Sequence, residues 1–234
     1  MAPKVWTTFT AKKSNGSDVK LRIQDMPPER LEEVLNFFDD YYNQNNAFYK
    51  LLGVSKNPKA VQESIEGMRQ MFKAAPTKIV ICCMDNGDAK PEIVGATAAG
   101  VTTSKDNIDD FMNFNIKTKE VTELYALFFE LMKLYDVFKG KNVDRYSDER
   151  GLAVSKDYGV AVLKELLNVR RKLCKELNVP LSAFWAMSTD QQNAAEADGW
   201  ETAFEVTRDE VAKKLGVTIT EDPATYRLVV GTAL

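Results

Sequence analysis

There is no histidine in this chain of 234 residues. That one absence removes the commonest general base, the usual member of a nucleophilic triad and the commonest transition-metal ligand. Any chemistry must run on Glu, Asp, Tyr, Ser, Cys, Lys or water, and no metal site is expected. Cysteine is scarce as well: Cys82, Cys83 and Cys174 are the only three. Cys82 and Cys83 are adjacent in an apolar run, where successive strand side chains point to opposite faces. They read as small buried thiols in a reducing compartment and not as a disulfide framework. No cleavable apolar leader is recognisable, and no apolar run reaches the ~20 residues of a membrane span. The expected location is cytoplasmic, with no membrane partner. Basic excess is missing too. A net charge of −3 and a pI near 5.3 argue against a nucleic-acid partner, which would draw on a basic stripe.

What is present is ordinary globular material: 44% apolar and 28% charged residues, enough to bury a substantial core. Residues 19–23, Val-Lys-Leu-Arg-Ile, alternate apolar and polar and read as a half-buried strand. Met26-Pro27-Pro28-Glu29 opens a helix, with prolines at the tolerated first turn and Leu31, Val34, Leu35 and Phe38 along one face. A second helix is expected over 58–74. Strands over 78–84 and 92–103 flank the turn residues Asp85-Asn86-Gly87-Asp88. The small residues Gly95, Ala96, Ala98, Ala99 and Gly100 in the second strand fit either close approach of a ligand or tight packing of a helix. Residues 121–138 read as one long, unusually apolar helix. Leu127, Phe129 and Leu134 widen its face beyond what a surface helix needs, which suits a pocket or a homo-oligomeric contact. The remainder alternates: strand 151–155, helix 160–177, strand 181–187, helix 189–197, strand 200–207 and a last strand 225–231. That order makes a mixed α/β sheet, with no linker long enough to split the chain, so residues 1–234 are expected to form one domain.

Four stretches, in order and spacing, resemble the GNAT superfamily of N-acetyltransferases, and within it the arthropod arylalkylamine N-acetyltransferase branch. Val19-Lys20-Leu21-Arg22-Ile23-Gln24-Asp25-Met26-Pro27 is similar to the opening strand and turn. Leu51-Leu52-Gly53-Val54 resembles the "lgl" after the first helix. Gly151-Leu152-Ala153-Val154-Ser155-Lys156-Asp157-Tyr158 resembles the "L-x-V-x-P-x-Y" leading into the acetyl-CoA loop. Phe184-Trp185-Ala186-Met187-Ser188, with Gly199-Trp200-Glu201, resembles the closing "FT-x-x-S … GFE".

The resemblance implies a GNAT fold, a mixed central sheet with helices on both faces, and acetyl-CoA as cosubstrate. It implies that the strand Leu152-Ala153-Val154 pairs with the pantetheine arm. Gly159, Val160, Ala161 and Val162 would turn into a helix whose N–H groups hold the pyrophosphate. The family's "Y-R-G-x-G-I-A" loop is one residue shorter here, and its arginine is absent after Tyr158. The position of the acidic residue in the family's "E-P-L" is taken by Asn46, which accepts no proton at neutral pH. Asp39 and Asp40 lie upstream as substitutes or as solvated helix residues. Ser188 and Tyr158 are the candidate catalytic residues, each able to protonate a leaving thiolate, while Ser188 also suits the N-cap of the next helix.

Two functions follow. One is acyl-CoA-dependent N-acetylation of a small arylalkylamine. The other is a catalytically inactive GNAT-fold protein that keeps the cleft for an apolar or aromatic ligand, such as a pigment, lined by Asn46, Phe128, Tyr135 and Trp185. A structural or oligomeric protein with an apolar interface is a third reading of residues 121–138.

Overall fold

A computed structural model describes residues 3–74, 77–106, 116–220 and 223–234. Eight strands form one sheet in the order β1-β2-β3-β4-β5-β6-β8-β7. The first five, β1 (Val5–Lys12), β2 (Asp18–Asp25), β3 (Thr77–Met84), β4 (Ile93–Thr103) and β5 (Arg145–Val154), run antiparallel in succession. β6 (Leu181–Ala186) joins β5 in parallel, and β8 (Thr225–Thr232) lies between β6 and β7 (Glu201–Thr207). A parallel neighbour demands a crossover, supplied by α6 (Gly159–Glu176).

Strand alternation divides the core. Val80, Cys82 and Val94 face α6 together with Leu166, Leu167 and Leu173, and Ala194 and Ala195 of α7 (Thr189–Ala197) close that layer. Ile81, Cys83 and Ala96 point the other way, to α1 (Leu31–Tyr41) and α3 (Pro58–Ala74). This explains the paired cysteines: one buried thiol goes to each face, and desolvation raises both thiol pKa values. The small residues of β4 serve packing. A side chain at Gly95 would meet Val162 and Leu166 of α6 at 3.1 Å, and Gly100 makes room for the Arg150 guanidinium.

The long helix expected over 121–138 is two helices. α4 (Lys119–Met132) stops, and α5 (Val137–Lys141) restarts after Asp136, whose carboxylate accepts from the Lys139 amide at 3.2 Å. A helix capped in this way begins a new direction. The apolar surplus of α4 is absorbed by α2 (Ala47–Leu52) and α8 (Arg208–Leu215), neither of which the apolar periodicity marked, and by Trp185 and Tyr226 of the sheet. β1 is likewise unmarked by the apolar periodicity. Its eight residues form an edge strand whose Trp6 indole donates to Asp25 at 2.7 Å. The turn at 85–88 belongs to a wider loop, since the Met84 amide next pairs with the Glu92 carbonyl.

Candidate active site

β5 and β6 share only one register pair, Ser147 with Ser182. Beyond it the two parallel strands part, and a wedge opens toward their C-terminal ends. The parting is secured at its apex. The Ser182 hydroxyl donates to the Ser147 carbonyl at 3.1 Å and accepts from Arg170 at 3.0 Å.

β5 is bulged on its other edge. Leu152 pairs with Thr97 and Glu149 with Ala99, so β5 spends one residue more than β4 over this stretch. Gly151 occupies the bulge at φ +139°, a conformation open chiefly to glycine, and its carbonyl accepts from the Thr97 hydroxyl at 3.0 Å. A Cβ there would stand 2.9 Å from the Phe38 ring. The bulge resets the alternation, so that Glu149 and Leu152, three apart, both turn toward α6.

At the mouth of the wedge β5 runs into α6. Gly159 begins the helix at φ +54°, with open space where a side chain would be. No side chain caps this helix end, and Val160 and Ala161 are partly or fully exposed. The amides of the first turn therefore face outward, as an anion needs. Lys13 reaches the same corner. The Ser14 amide donates to the Asp157 carbonyl at 2.8 Å, and the Lys13 ammonium sits 5.4 Å from the centre of the Tyr158 ring. Leu152, Ala153 and Val162 are buried, so their side chains build the scaffold and only their backbone can meet a ligand.

The other expected residues are spread out. Ser188 follows β6 at the mouth of the wedge, where its Oγ accepts from the Gln191 amide at 3.2 Å as the N-cap of α7. Tyr158 is buried, and its hydroxyl lies 3.4 Å from the Met84 sulfur on β3. Three strand spacings separate β3 from β6, roughly 14 Å at ~4.8 Å each, so Tyr158 and Ser188 do not converge. Asn46 caps α2, its Oδ1 accepting from the Phe48 amide at 2.9 Å and the Tyr49 amide at 3.4 Å. Asp39 accepts from Asn43 at 3.2 Å. Phe128 packs on Phe48 with centroids 5.4 Å apart. Tyr135 and Trp185 both pack on Phe204, at 5.6 and 6.1 Å.

Sequence reasoning passed over Glu149. It sits in Arg145-Tyr146-Ser147-Asp148-Glu149-Arg150, which looks like a solvated charge run, yet its side chain is only 12% exposed. Burial pushes its pKa up to about 7, against the pull of Arg170, which is itself fully buried 3.7 Å away, and of the Tyr42 hydroxyl that donates to it. The available signal was the position of this charged run, immediately ahead of Gly151-Leu152-Ala153-Val154 and so inside the central sheet.

No family model matches the chain, and no curated protein matches it significantly. Solved structures do. A yellow fever mosquito (Aedes aegypti) protein assigned as arylalkylamine N-acetyltransferase 7 is 24% identical. That match covers 99% of this chain and 96% of the other, at a TM-score of 0.82. Arylalkylamine N-acetyltransferase 2 from Aedes aegypti is 13% identical over 91% of this chain and 98% of its own, at 0.70. Mosquito arylalkylamine N-acetyltransferase like 5b is 18% identical over 91% and 99%, at 0.68. The mixed sheet, the bulged and parted central strands and these superpositions agree: the chain has the GNAT N-acetyltransferase fold in its arthropod, arylalkylamine N-acetyltransferase-like form.

Proposed function

We propose that residues 1–234 form one GNAT-like domain that transfers an acetyl group from acetyl-CoA to a small arylalkylamine. The observation that carries this reading is the wedge between β5 and β6, opening beside the uncapped first turn of α6. The edge of β5 past Ser147 has no strand on the β6 side, which suits an extended pantetheine arm lying along Leu152, Ala153 and Val154. The amides of Val160, Ala161 and Val162 suit the pyrophosphate, and Gly159 leaves room for its approach. Lys13 stands in for the cation that the shortened loop lacks. Acetyl-CoA supplies an activated acyl group, and attack by a neutral amine on its thioester needs no covalent enzyme intermediate and no histidine.

Ser188 suits protonation of the leaving thiolate. As an N-cap its oxygen accepts a hydrogen bond, which leaves its own proton to donate. Tyr158 serves instead as a buried support for the α6 turn. The apolar part of the acceptor fits beside half-buried Trp185, Met187 and Phe128. Asn46 has its side-chain oxygen committed to the α2 cap, and the Phe128, Tyr135 and Trp185 rings are engaged with other rings. Among the described residues no helix is long and apolar enough to cross a membrane. The three free buried thiols suit a reducing, cytoplasmic setting.

Calorimetric titration with acetyl-CoA tests the reading. Binding in the micromolar range, with turnover of at least one arylalkylamine in a thiol-release assay, is expected. No heat at millimolar cofactor and no turnover would overturn it.

A further inference from the structure

In GNAT-type transfer the amine arrives as an ammonium and must lose a proton before it attacks, yet the residue aligned with the family's acid is the helix-capping Asn46. The wedge holds another carboxylate. Glu149 leaves β5 two residues after the Ser147–Ser182 apex. Three groups act on it: Arg170 of α6, the Tyr42 hydroxyl after α1 and its neighbour Asp148, with Ser182 of β6 holding Arg170 in turn.

A buried guanidinium and carboxylate ordinarily close into a fork of two short hydrogen bonds. Here they stand 3.7 Å apart, and the facing atoms, Glu149 Oε2 and Arg170 Nη1, have no hydrogen-bond partner. Arg170 is anchored elsewhere. Nη2 donates to Ser182 Oγ at 3.0 Å and to the Ala183 carbonyl at 3.5 Å, and the guanidinium lies 5.2 Å from the Phe184 ring centre and 5.9 Å from that of Trp200. The arginine thus lends its charge without claiming the carboxylate oxygen, which is left buried and unpaired two residues beyond the point where the strands part.

We propose that Glu149 is the proton acceptor for the incoming amine, with Arg170 and Tyr42 as positioning residues that hold its carboxylate in the wedge. This rests on the N-acetyltransferase reading above. The ammonium gives one proton to Glu149 Oε2, and the amine nitrogen attacks the thioester carbon. The new C–N bond forms and the C–S bond breaks. The second nitrogen proton leaves with the thiolate as CoA thiol, and Glu149 returns its proton to water. A group titrating near 7 is suited to this exchange, and in a chain without histidine no other side chain ordinarily changes charge there.

Three measurements on the full chain test it. Carboxyl-13C NMR of the ligand-free protein should show one glutamate titrating near pH 7 that vanishes in Glu149→Gln. Glu149→Gln should bind acetyl-CoA as the wild type does while kcat falls by roughly 10²-fold or more and the limb near pH 7 disappears from the rate profile. Tyr42→Phe removes a hydrogen bond that favours the carboxylate, so both the NMR midpoint and the kinetic limb should move to higher pH, a shift that a purely structural tyrosine would not produce. A Glu149→Gln enzyme that keeps its kcat and its limb overturns the proposal and leaves the transferase reading standing. A glutamate titrating near its ordinary value overturns it too. A wild type that neither binds acetyl-CoA nor turns over any amine overturns both.

Discussion

Asn46 and Gly151 are held by different physics, and substitution separates the two. Asn46 satisfies two otherwise orphaned amides at the start of α2. Asn46→Ala is expected to cost about 1 kcal/mol, while Asn46→Asp keeps the cap and stays within about 0.5 kcal/mol of wild type; urea unfolding midpoints at constant m decide it. Gly151 combines a left-handed backbone with a Phe38 ring 2.9 Å from where a Cβ would lie. Gly151→Ala should destabilise by about 2 kcal/mol. Because it disturbs the bulge that orients Glu149, it should lower kcat more than it raises the KM for the amine. An unaltered thermal midpoint would show that the bulge is not glycine-dependent. The role of Asn46 was half legible in the sequence, since asparagine ahead of Ala-Phe-Tyr is a capping pattern. The strain at Gly151 was not, because it depends on Phe38, which is distant in sequence.

At the scale of elements, the α6 N-terminus is completed by a loop from the opposite end of the chain. The β1–β2 connection is pinned to Asp157 through Ser14 and carries Lys13 to the Tyr158 ring. Lys13→Glu is expected to weaken acetyl-CoA binding several-fold by calorimetry, with a smaller loss at high salt because the interaction is screened. The thermal midpoint should move little, since the side chain is on the surface. Unchanged affinity would remove Lys13 from the cradle. Helix and strand patterning foresaw α3 and α7 at their observed bounds, because a period of 3.6 and a serine cap are local signals. The same patterning ran α4 into α5, since apolar periodicity continued through Lys133–Asp136 while the Asp136 cap marked the break.

Across the whole molecule, protonation couples the wedge to stability. Glu149 has a folded pKa near 7, above its ordinary carboxyl value, so the native state binds the extra proton between about pH 4.5 and 7. Its contribution is most favourable below that window and is lost as pH rises through it, by roughly 3 kcal/mol in all. Exposed carboxylates such as Glu32 and Glu66, held low by hydrogen bonds from Arg69 and Gln70, act in the opposite sense and lose their contribution under acid. Glu149→Gln mimics the protonated side chain. Its stability relative to wild type should therefore rise between pH 4.5 and 7 and then level off, as read from denaturant midpoints across that range; a flat difference would place the carboxyl in water.

The sequence alone determined most of the strand and helix order, the Ser188 cap, the two-faced burial of Cys82 and Cys83 and the likeness of 151–200 to an acetyl-CoA motif, because periodicity, capping and turn chemistry act over a few residues. Only the tertiary structure decided that Tyr158 supports β3 and lies away from Ser188, that Lys13 meets the α6 turn, and that Glu149 is a buried carboxylate and not part of a solvated charge run. Each of those depends on which strands stand side by side, and on the point where β5 and β6 part. Desolvation and charge pairing between residues distant in sequence arise from that arrangement, and local pattern carries no record of it.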